Sequence, residues 1–258
     1  GNNLDTRRYA RRVVRLRRRV RRALALPLDR WRQRSRPVLS IVVPVFNAAE
    51  YLDECLTSIR KQDYRRIEIV VIDDGSTDDS AAIIRRQASA DRRIVALSQT
   101  KAGGGEARRV AVAAATAEYL TFVDADDTVT RGGLRAGMDL LEETGSDVAV
   151  LPYQRLEAGR IRPAAPWIRA LHSRPQTHVT LTDRPDVLVN AIACAKIYRR
   201  TFWDAHELVF PTVLANGDQI VTAQGYLAAS GIDISGVMAY TWRRMESSIS
   251  QGQVSADA

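Results

Sequence analysis

Apolar and polar positions along this chain follow two periods, and they take turns. Residues 39–45 and 67–72 are nearly continuous apolar, β-branched runs, which predicts strands buried on both faces. Between them Ala48, Tyr51, Leu52, Cys55, Leu56 and Ile59 fall at i, i+3, i+4, i+7, i+8 and i+11, the stripe of an amphipathic helix. A second helix is expected over about 78–90, carrying Ala82, Ile83 and Ile84 and capped by Ser76 or Thr77. Residues 93–97 read as a third strand. Gly103, Gly104 and Gly105 then open an Ala-rich helix that runs to about Ala117, and residues 119–123 form a fourth strand. A helix over 132–144 and a strand over 147–153 continue the alternation. Short connections between strands and helices predict an α/β domain with a Rossmann-like, mostly parallel central sheet and helices on both faces.

Beyond Pro152 the rhythm changes. Glu157-Ala158-Gly159-Arg160 reads as a hairpin turn, and residues 163–180, rich in Pro and Arg, read as irregular. Thr182-Asp183 is expected to cap a helix through Ile192, followed by a strand over 194–198 and a short helix around Phe202. A last helix opens at Asn216-Gly217-Asp218-Gln219 with Ile220, Ala223 and Leu227 inward, after which residues 232–242 return to the sheet.

Charge divides the chain at residue 36. Residues 1–36 carry 14 Arg against Asp5 and Asp29, whereas the remainder holds 24 basic and 28 acidic residues. Tyr9, Val13, Leu16, Val20 and Leu24 make a helical stripe through the basic stretch, so residues 7–26 are expected to form a basic amphipathic helix ended by Pro27. Such a helix is too charged to span a bilayer but suits an anionic membrane surface. A docking helix, a clamp on a polyanion and a disordered tail are the other readings. Nucleic acid is not expected, because no aromatics are interleaved for stacking, and no long uncharged run marks a secretory signal. The expected location is therefore cytoplasmic, peripheral at the inner face of the cell membrane. Gly1 in place of Met points to a trimmed terminus. The domain division that follows is 1–36 basic segment, 37–250 globular domain (halves 37–152 and 153–250) and 251–258 tail. Cys55 and Cys194 have no metal-ligand spacing and are expected to be reduced, packed thiols. His172, His178 and His206 fit no zinc pattern.

Chemistry gathers where strands stop. The fourth strand ends in Asp124-Ala125-Asp126-Asp127, and ligands of open α/β sheets bind beyond the carboxyl ends of strands. In an extended chain Asp124 and Asp126 would point to one side, roughly 6 to 7 Å apart, which suits a hard divalent cation; a solvated turn would use the same residues. Asn47, Asp73 and Asp74 offer polar groups for a base and ribose. Gly103, Gly104 and Gly105 allow a phosphate to approach the backbone, and Arg108 supplies a cation one turn into a helix.

Val43-Pro44-Val45-Phe46-Asn47, Val71-Ile72-Asp73-Asp74-Gly75-Ser76-Thr77-Asp78, Gly103-Gly104-Gly105-Glu106-Ala107-Arg108 and Val123-Asp124-Ala125-Asp126-Asp127 together resemble the family 2 glycosyltransferases of GT-A fold. The likeness runs from about Leu39 to Ile249. It implies that Pro44, Val45, Phe46, Asn47 and Asp73 hold the nucleotide, with Asp74 in support. In the Asp-x-Asp element, Asp124 and Ala125 lie near the ribose and Asp126 reaches a Mn²⁺ or Mg²⁺ ion on the diphosphate. Lys101 and Arg109 depart from the family, which often has Asn there. In the second half Lys196-Ile197-Tyr198-Arg199-Arg200 and Phe210-Pro211 resemble the segment before the family's catalytic acid. The family's Glu-Asp is here Gly217-Asp218, which makes Asp218 the implied base, although an Asp at a helix start also suits capping. Trp242-Arg243-Arg244 followed by Ser247-Ser248-Ile249-Ser250 resembles the terminal motif of non-processive members, and Lys196, Arg243 and Arg244 become possible diphosphate or acceptor contacts.

The implied reaction is inverting transfer of a sugar from a nucleotide-diphosphate donor, UDP-linked by expectation. The acceptor would be a hydroxyl of a cell-envelope glycan, a teichoic-acid-like polyol-phosphate polymer or a lipid-linked chain. Two other readings stand beside it. A sugar-phosphate nucleotidyltransferase would need a Gly-rich, Arg-containing loop after the first strand, where this chain has Pro44 to Asn47. A catalytically degenerate domain could serve as a binding module at the membrane surface. Oligomeric state is left open.

Overall fold

A computed structural model describes residues 36–212 and 217–244. The expected helix over 7–26, Asn216, the Ser247–Ser250 motif and the tail lie outside the described residues. The chain divides at Pro37, and the unit from Val38 onward carries all that follows. Among the described residues no helix is long and apolar enough to cross a membrane.

Strand β1 (Leu39–Val45) is followed by helix α1 (Ala49–Arg60), β2 (Ile67–Asp73), α2 (Ser80–Ala90), β3 (Ile94–Ser98), α3 (Gly104–Ala114) and β4 (Tyr119–Phe122). These four strands are parallel, in the order β3-β2-β1-β4. Leu39, Ile41, Val42 and Val43 have no exposed surface, so both faces of β1 are covered, as the apolar runs predict. Full burial of each such side chain contributes about 1.5–3 kcal/mol. Leu52, Cys55, Leu56 and Ile59 form the buried stripe of α1. Register then decides where chemistry collects: Val45 pairs with Asp73 and Asp73 with Ser98, so three strands end side by side.

The sheet continues as a mixed one. It runs from β4 through β10 (Lys196–Arg199), antiparallel to it, then β6 (Val148–Val150), β11 (Ile232–Ile234) and β9 (Gln176–Val179). A second sheet orders β5 (Thr128–Val129), β12 (Tyr240–Arg244), β7 (Tyr153–Glu157) and β8 (Arg160–Pro163). Helix α4 (Gly133–Thr144) sits where expected, and Ala158 and Gly159, both at positive φ, make the expected hairpin turn.

Several local expectations are corrected. Asp79, not Ser76 or Thr77, stands before α2, because Ser76 Oγ accepts from Asn47 N and the Thr77 amide is bound by Asn47 Oδ1. Residues 163–180 are not irregular but hold helix α5 (Pro166–His172) and β9, whose partner β11 lies far along the chain. Asp183 accepts hydrogen bonds from Thr180 and starts no α-helix; a 3₁₀ turn over Pro185–Val189 follows. After α6 (Arg200–Ala205), helix α7 (Gly217–Ala228) buries Val221, Thr222, Gly225 and Tyr226, while Ile220 and Leu227 are 39% and 74% exposed. Gly225 admits the Tyr198 ring and Tyr226 Oη donates to the Asn190 carbonyl, which turns the helix one position from its most apolar face. Residues 240–244 return to the second sheet, not the central one.

Candidate active site

The donor loops are tied to one another by backbone-directed hydrogen bonds. Asn47 takes a left-handed conformation, φ 47°, and its Oδ1 accepts from Thr77 N at 2.8 Å. Asp73 Oδ1 accepts from Ser76 N at 3.0 Å and closes the turn through Gly75. Asp74 is buried, with Oδ1 accepting from Gln99 Nε2 and Ala102 N, and Oδ2 from Gly103 N, at 2.7 to 2.9 Å. Its acceptors are therefore used by protein, and it fixes the glycine loop from below. Val45 and Ala125 are buried and can offer a ligand little but backbone, whereas Phe46 is 41% exposed with the Lys101 ammonium over its ring.

Glycine 105 is required by crowding. A Cβ there would stand 2.2 Å from the Pro211 carbonyl oxygen, and one at Gly217 would stand 3.1 Å from the same proline's ring. Pro211 thus lies between the first turn of α3, which carries Arg108, and the first turn of α7, which carries Asp218. Arg108 also lies over the Phe210 ring, 5.4 Å from its centroid. The glycine loop and the helix that begins beside the expected base thus both pack on Pro211.

The acid stretch is a turn and not an extended segment. Asp127 N donates to the Asp124 carbonyl at 3.1 Å, so the side-by-side geometry expected of Asp124 and Asp126 does not hold. Arg108 Nη2 donates to Asp124 Oδ1 at 2.5 Å. Burial works against the Arg108 charge, yet Asp124, and then Asp218, hold its pKa above the ordinary value. Arg108 Nε is buried without a hydrogen-bond partner among the described residues, a donor suited to an anionic ligand. Burial, followed by the Asp124 charge, raises the Asp126 carboxyl. Asp127 is raised further, first by burial and then by Asp124 and Asp126.

Asp127, the third acid of the stretch, had no role assigned from sequence, and Tyr240 had none either. Tyr240 Oη accepts from Asp124 N and donates to Asp127 Oδ2, while Arg243 N donates to Asp127 Oδ1 at 2.7 Å. This pair latches the acid turn to β12. The only sequence signal was that three carboxylates within four residues exceed what one cation takes from protein.

Asp218 begins α7, and its Oδ2 accepts from Ala193 N at 3.4 Å. Lys196 is fully buried; its ammonium donates to Asn190 Oδ1 and the Ile192 carbonyl, so it faces packed protein and no ligand space. Burial pushes its pKa down to about 7, with Asp218 among the groups opposing the shift. The Arg243 guanidinium is committed to the Asp126 carbonyl and Glu54, over the Tyr51 ring, and Arg244 pairs with Glu157. Both Cys55 and Cys194 are buried free thiols.

Among the described residues no three His, Cys, Asp or Glu side chains close round a cation. The donor set that fits one is oxygen only: Asp126, with Asp124 already holding Arg108. Water and diphosphate oxygens would complete such a shell.

Residues 40–207 match the family described as Glycosyl transferase family 2. The poly(ribitol-phosphate) β-N-acetylglucosaminyltransferase TarS of Staphylococcus aureus is 29% identical over 210 residues, covering 78% of this chain and 34% of its own. The poly(ribitol-phosphate) β-glucosyltransferase of Bacillus spizizenii is 29% identical over 205 residues, 76% of this chain and 31% of its own. This chain therefore spans about a third of the length of those curated relatives. The crystal structure of S. aureus TarS 1-349 in complex with UDP-GlcNAc superposes with TM-score 0.72 at 28% identity, over 82% of this chain and 60% of that one. A Pyrobaculum calidifontis mannosyltransferase, solved with GDP-Man and Mn²⁺, shares the fold at TM-score 0.58 and 20% identity, over 85% of this chain and 65% of that one.

Proposed function

This chain belongs to glycosyltransferase family 2, and from that premise we propose that it is an inverting, metal-dependent transferase working at the inner face of the cell membrane. It moves a sugar from a UDP-linked donor to a hydroxyl of a polyol-phosphate polymer of the cell envelope. The observation that supports the reading is the packing at Pro211: the helix starts that carry Arg108 and Asp218 both meet it, and Asp124 and Asp218 both bear on the Arg108 charge. A UDP-GlcNAc complex of TarS supports the donor class, and two relatives named for poly(ribitol-phosphate) support the acceptor class.

In this reading Phe46, Asn47 and Asp73 line the nucleotide, and Asp74 keeps the glycine loop in place for the diphosphate. Asp218 takes the proton of the acceptor hydroxyl as its oxygen bonds to the sugar's anomeric carbon, and the bond from that carbon to the diphosphate breaks on the opposite side. Arg108 lies where negative charge grows on the leaving group. Asp126, with Asp124, would hold Mn²⁺ or Mg²⁺, which when bound supplies further charge neutralisation at the diphosphate.

Donor turnover without acceptor is the direct test. Incubation with UDP-GlcNAc and Mn²⁺ should release UDP slowly and raise the melting temperature, and a screen of other nucleotide sugars covers a different hexose. No metal-stimulated release from any of them would sink the transferase reading. It would favour a binding-only domain, a reading that has Gly217 in place of the family's Glu on its side.

A further inference from the structure

The second sheet has a face that the reaction above leaves unused. Strand alternation puts Tyr240, Trp242 and Arg244 on one side of β12. Register carries that side across the sheet, with Trp242 opposite Arg155 and Arg155 opposite Arg162, and then Arg244 opposite Glu157 and Glu157 opposite Arg160. Contacts agree with this assignment. The Trp242 and Tyr153 rings meet edge to face at 6.4 Å, and Arg155 and Arg244 both reach Glu157 Oε1, at 3.2 and 3.1 Å.

The face thus carries one carboxylate among four guanidiniums, and only Arg155 and Arg244 reach it. Like charges directly opposite in a sheet destabilise it, and Arg155 faces Arg162. Strand β8 is exposed along its length, and among the described residues neither Arg160 nor Arg162 has a carboxylate partner. The face also has a direction. Its inner end is Tyr240, bonded to the acid turn, and Trp242 lies two residues, or roughly 7 Å, outward. Arg155 and Arg162 follow about 5 and 10 Å across the strands.

We infer that the face bearing Trp242, Arg155, Arg160 and Arg162 is the docking surface for a phosphodiester-linked polyol chain, leading from the transfer site outward. This rests on the transferase reading and adds to it where the acceptor lies. Arginine forks match phosphate oxygens bidentately, and an aromatic ring accepts the C–H faces of a polyol or sugar. A polyanion supplies the counter-charge that the opposed arginines lack. Its continuity with the acid turn is what favours an acceptor chain over other anions.

The test uses the full-length chain, purified poly(ribitol phosphate) and UDP-GlcNAc. Arg160→Glu/Arg162→Glu should raise the polymer KM by about tenfold or more and flatten its salt dependence, leaving acceptor-free UDP release within about twofold of the parent. A second basic concavity of about 460 Å³, lined by Arg60, Lys61, Arg65 and Arg131, provides a charge-matched control. Lys61→Glu/Arg65→Glu should keep the parent KM. An equal loss there would reduce the effect to net charge and overturn the assignment. An unchanged KM in the first variant would overturn it too, as would a variant that loses anionic vesicles while keeping the polymer. Affinity for fluorescently labelled polymer separates the two proposals. If the variant weakens that affinity while the parent releases no UDP from any donor, the docking face stands and the transferase reading falls.

Discussion

The donor side and the acceptor side proposed above are held in different ways. On the donor side the bonds that shape the loops join neighbouring strand ends: Thr77 to Asn47 across 30 residues, Ala102 and Gly103 to Asp74 across 28 and 29. Where the acceptor side closes on the acid turn, through β12, the bonds span most of the domain: Tyr240 to Asp127 across 113 residues, Arg243 to Asp127 across 116 and Arg243 to Glu54 across 189. The donor loops are thus built by successive βα units whose register already aligns them. The acid turn, by contrast, is fixed only when the last strand arrives.

The largest effects should separate the two sides by donor affinity. Asp126→Asn and Asp218→Asn should each lower turnover by at least about a hundredfold. Only the first should weaken metal-dependent donor binding, and the second should leave it nearly intact. Calorimetric titration with UDP-GlcNAc and Mn²⁺ reads the difference, and parental turnover in either variant would remove that residue from its role.

A smaller effect should mark the acid turn. The Asp126 carboxyl is raised by burial and then by Asp124, so its ionised form is the one the fold disfavours. Its contribution to stability is full below the ordinary carboxylate value and is lost as pH rises through the raised one. A cation held by Asp126 opposes that loss. Mn²⁺ should therefore raise the melting temperature near pH 7.5, by about 3 °C, and progressively less as pH falls and protons compete. A shift that persists in Asp126→Asn would place the metal elsewhere.

An effect on stability alone, away from turnover and metal binding, should come from Lys196. Its pKa of about 7 lies below the unfolded lysine value, so the penalty for its charge is complete below about 7 and absent above about 10.4. In Lys196→Met the melting temperature relative to the parent should be highest near pH 6 and fall on the order of 5 °C toward pH 10. The lost hydrogen bonds to Asn190 and Ile192 shift the whole curve but not its slope. A flat difference would show that Lys196 keeps its ordinary pKa in the fold and stays protonated there up to about pH 10.

How much could be read in the residues follows the same division. β1, α1, β2 and β4 were legible because their apolar periods are uninterrupted and the apolar positions they mark are buried. The segment over 163–180 misled because its helix is short and its strand is an edge strand with exposed positions, completed only by distant β11. In α7 the apolar positions Ile220 and Leu227 pointed the wrong way, since a tyrosine hydroxyl with a buried acceptor outweighed them. Lys196, at a position that suggested an anion contact, is turned inward by Asn190 and Ile192.

By itself the sequence determined the parallel half of the sheet and the identity of the loops at its edge, because strand burial and turn chemistry act over a few residues. Tertiary structure alone decided that Asp127 and Tyr240 latch the acid turn, that Gly105 and Gly217 both pack on Pro211, and that arginines of three strands share one face. Those outcomes depend on register and crowding between segments up to 116 residues apart, and no local pattern encodes them.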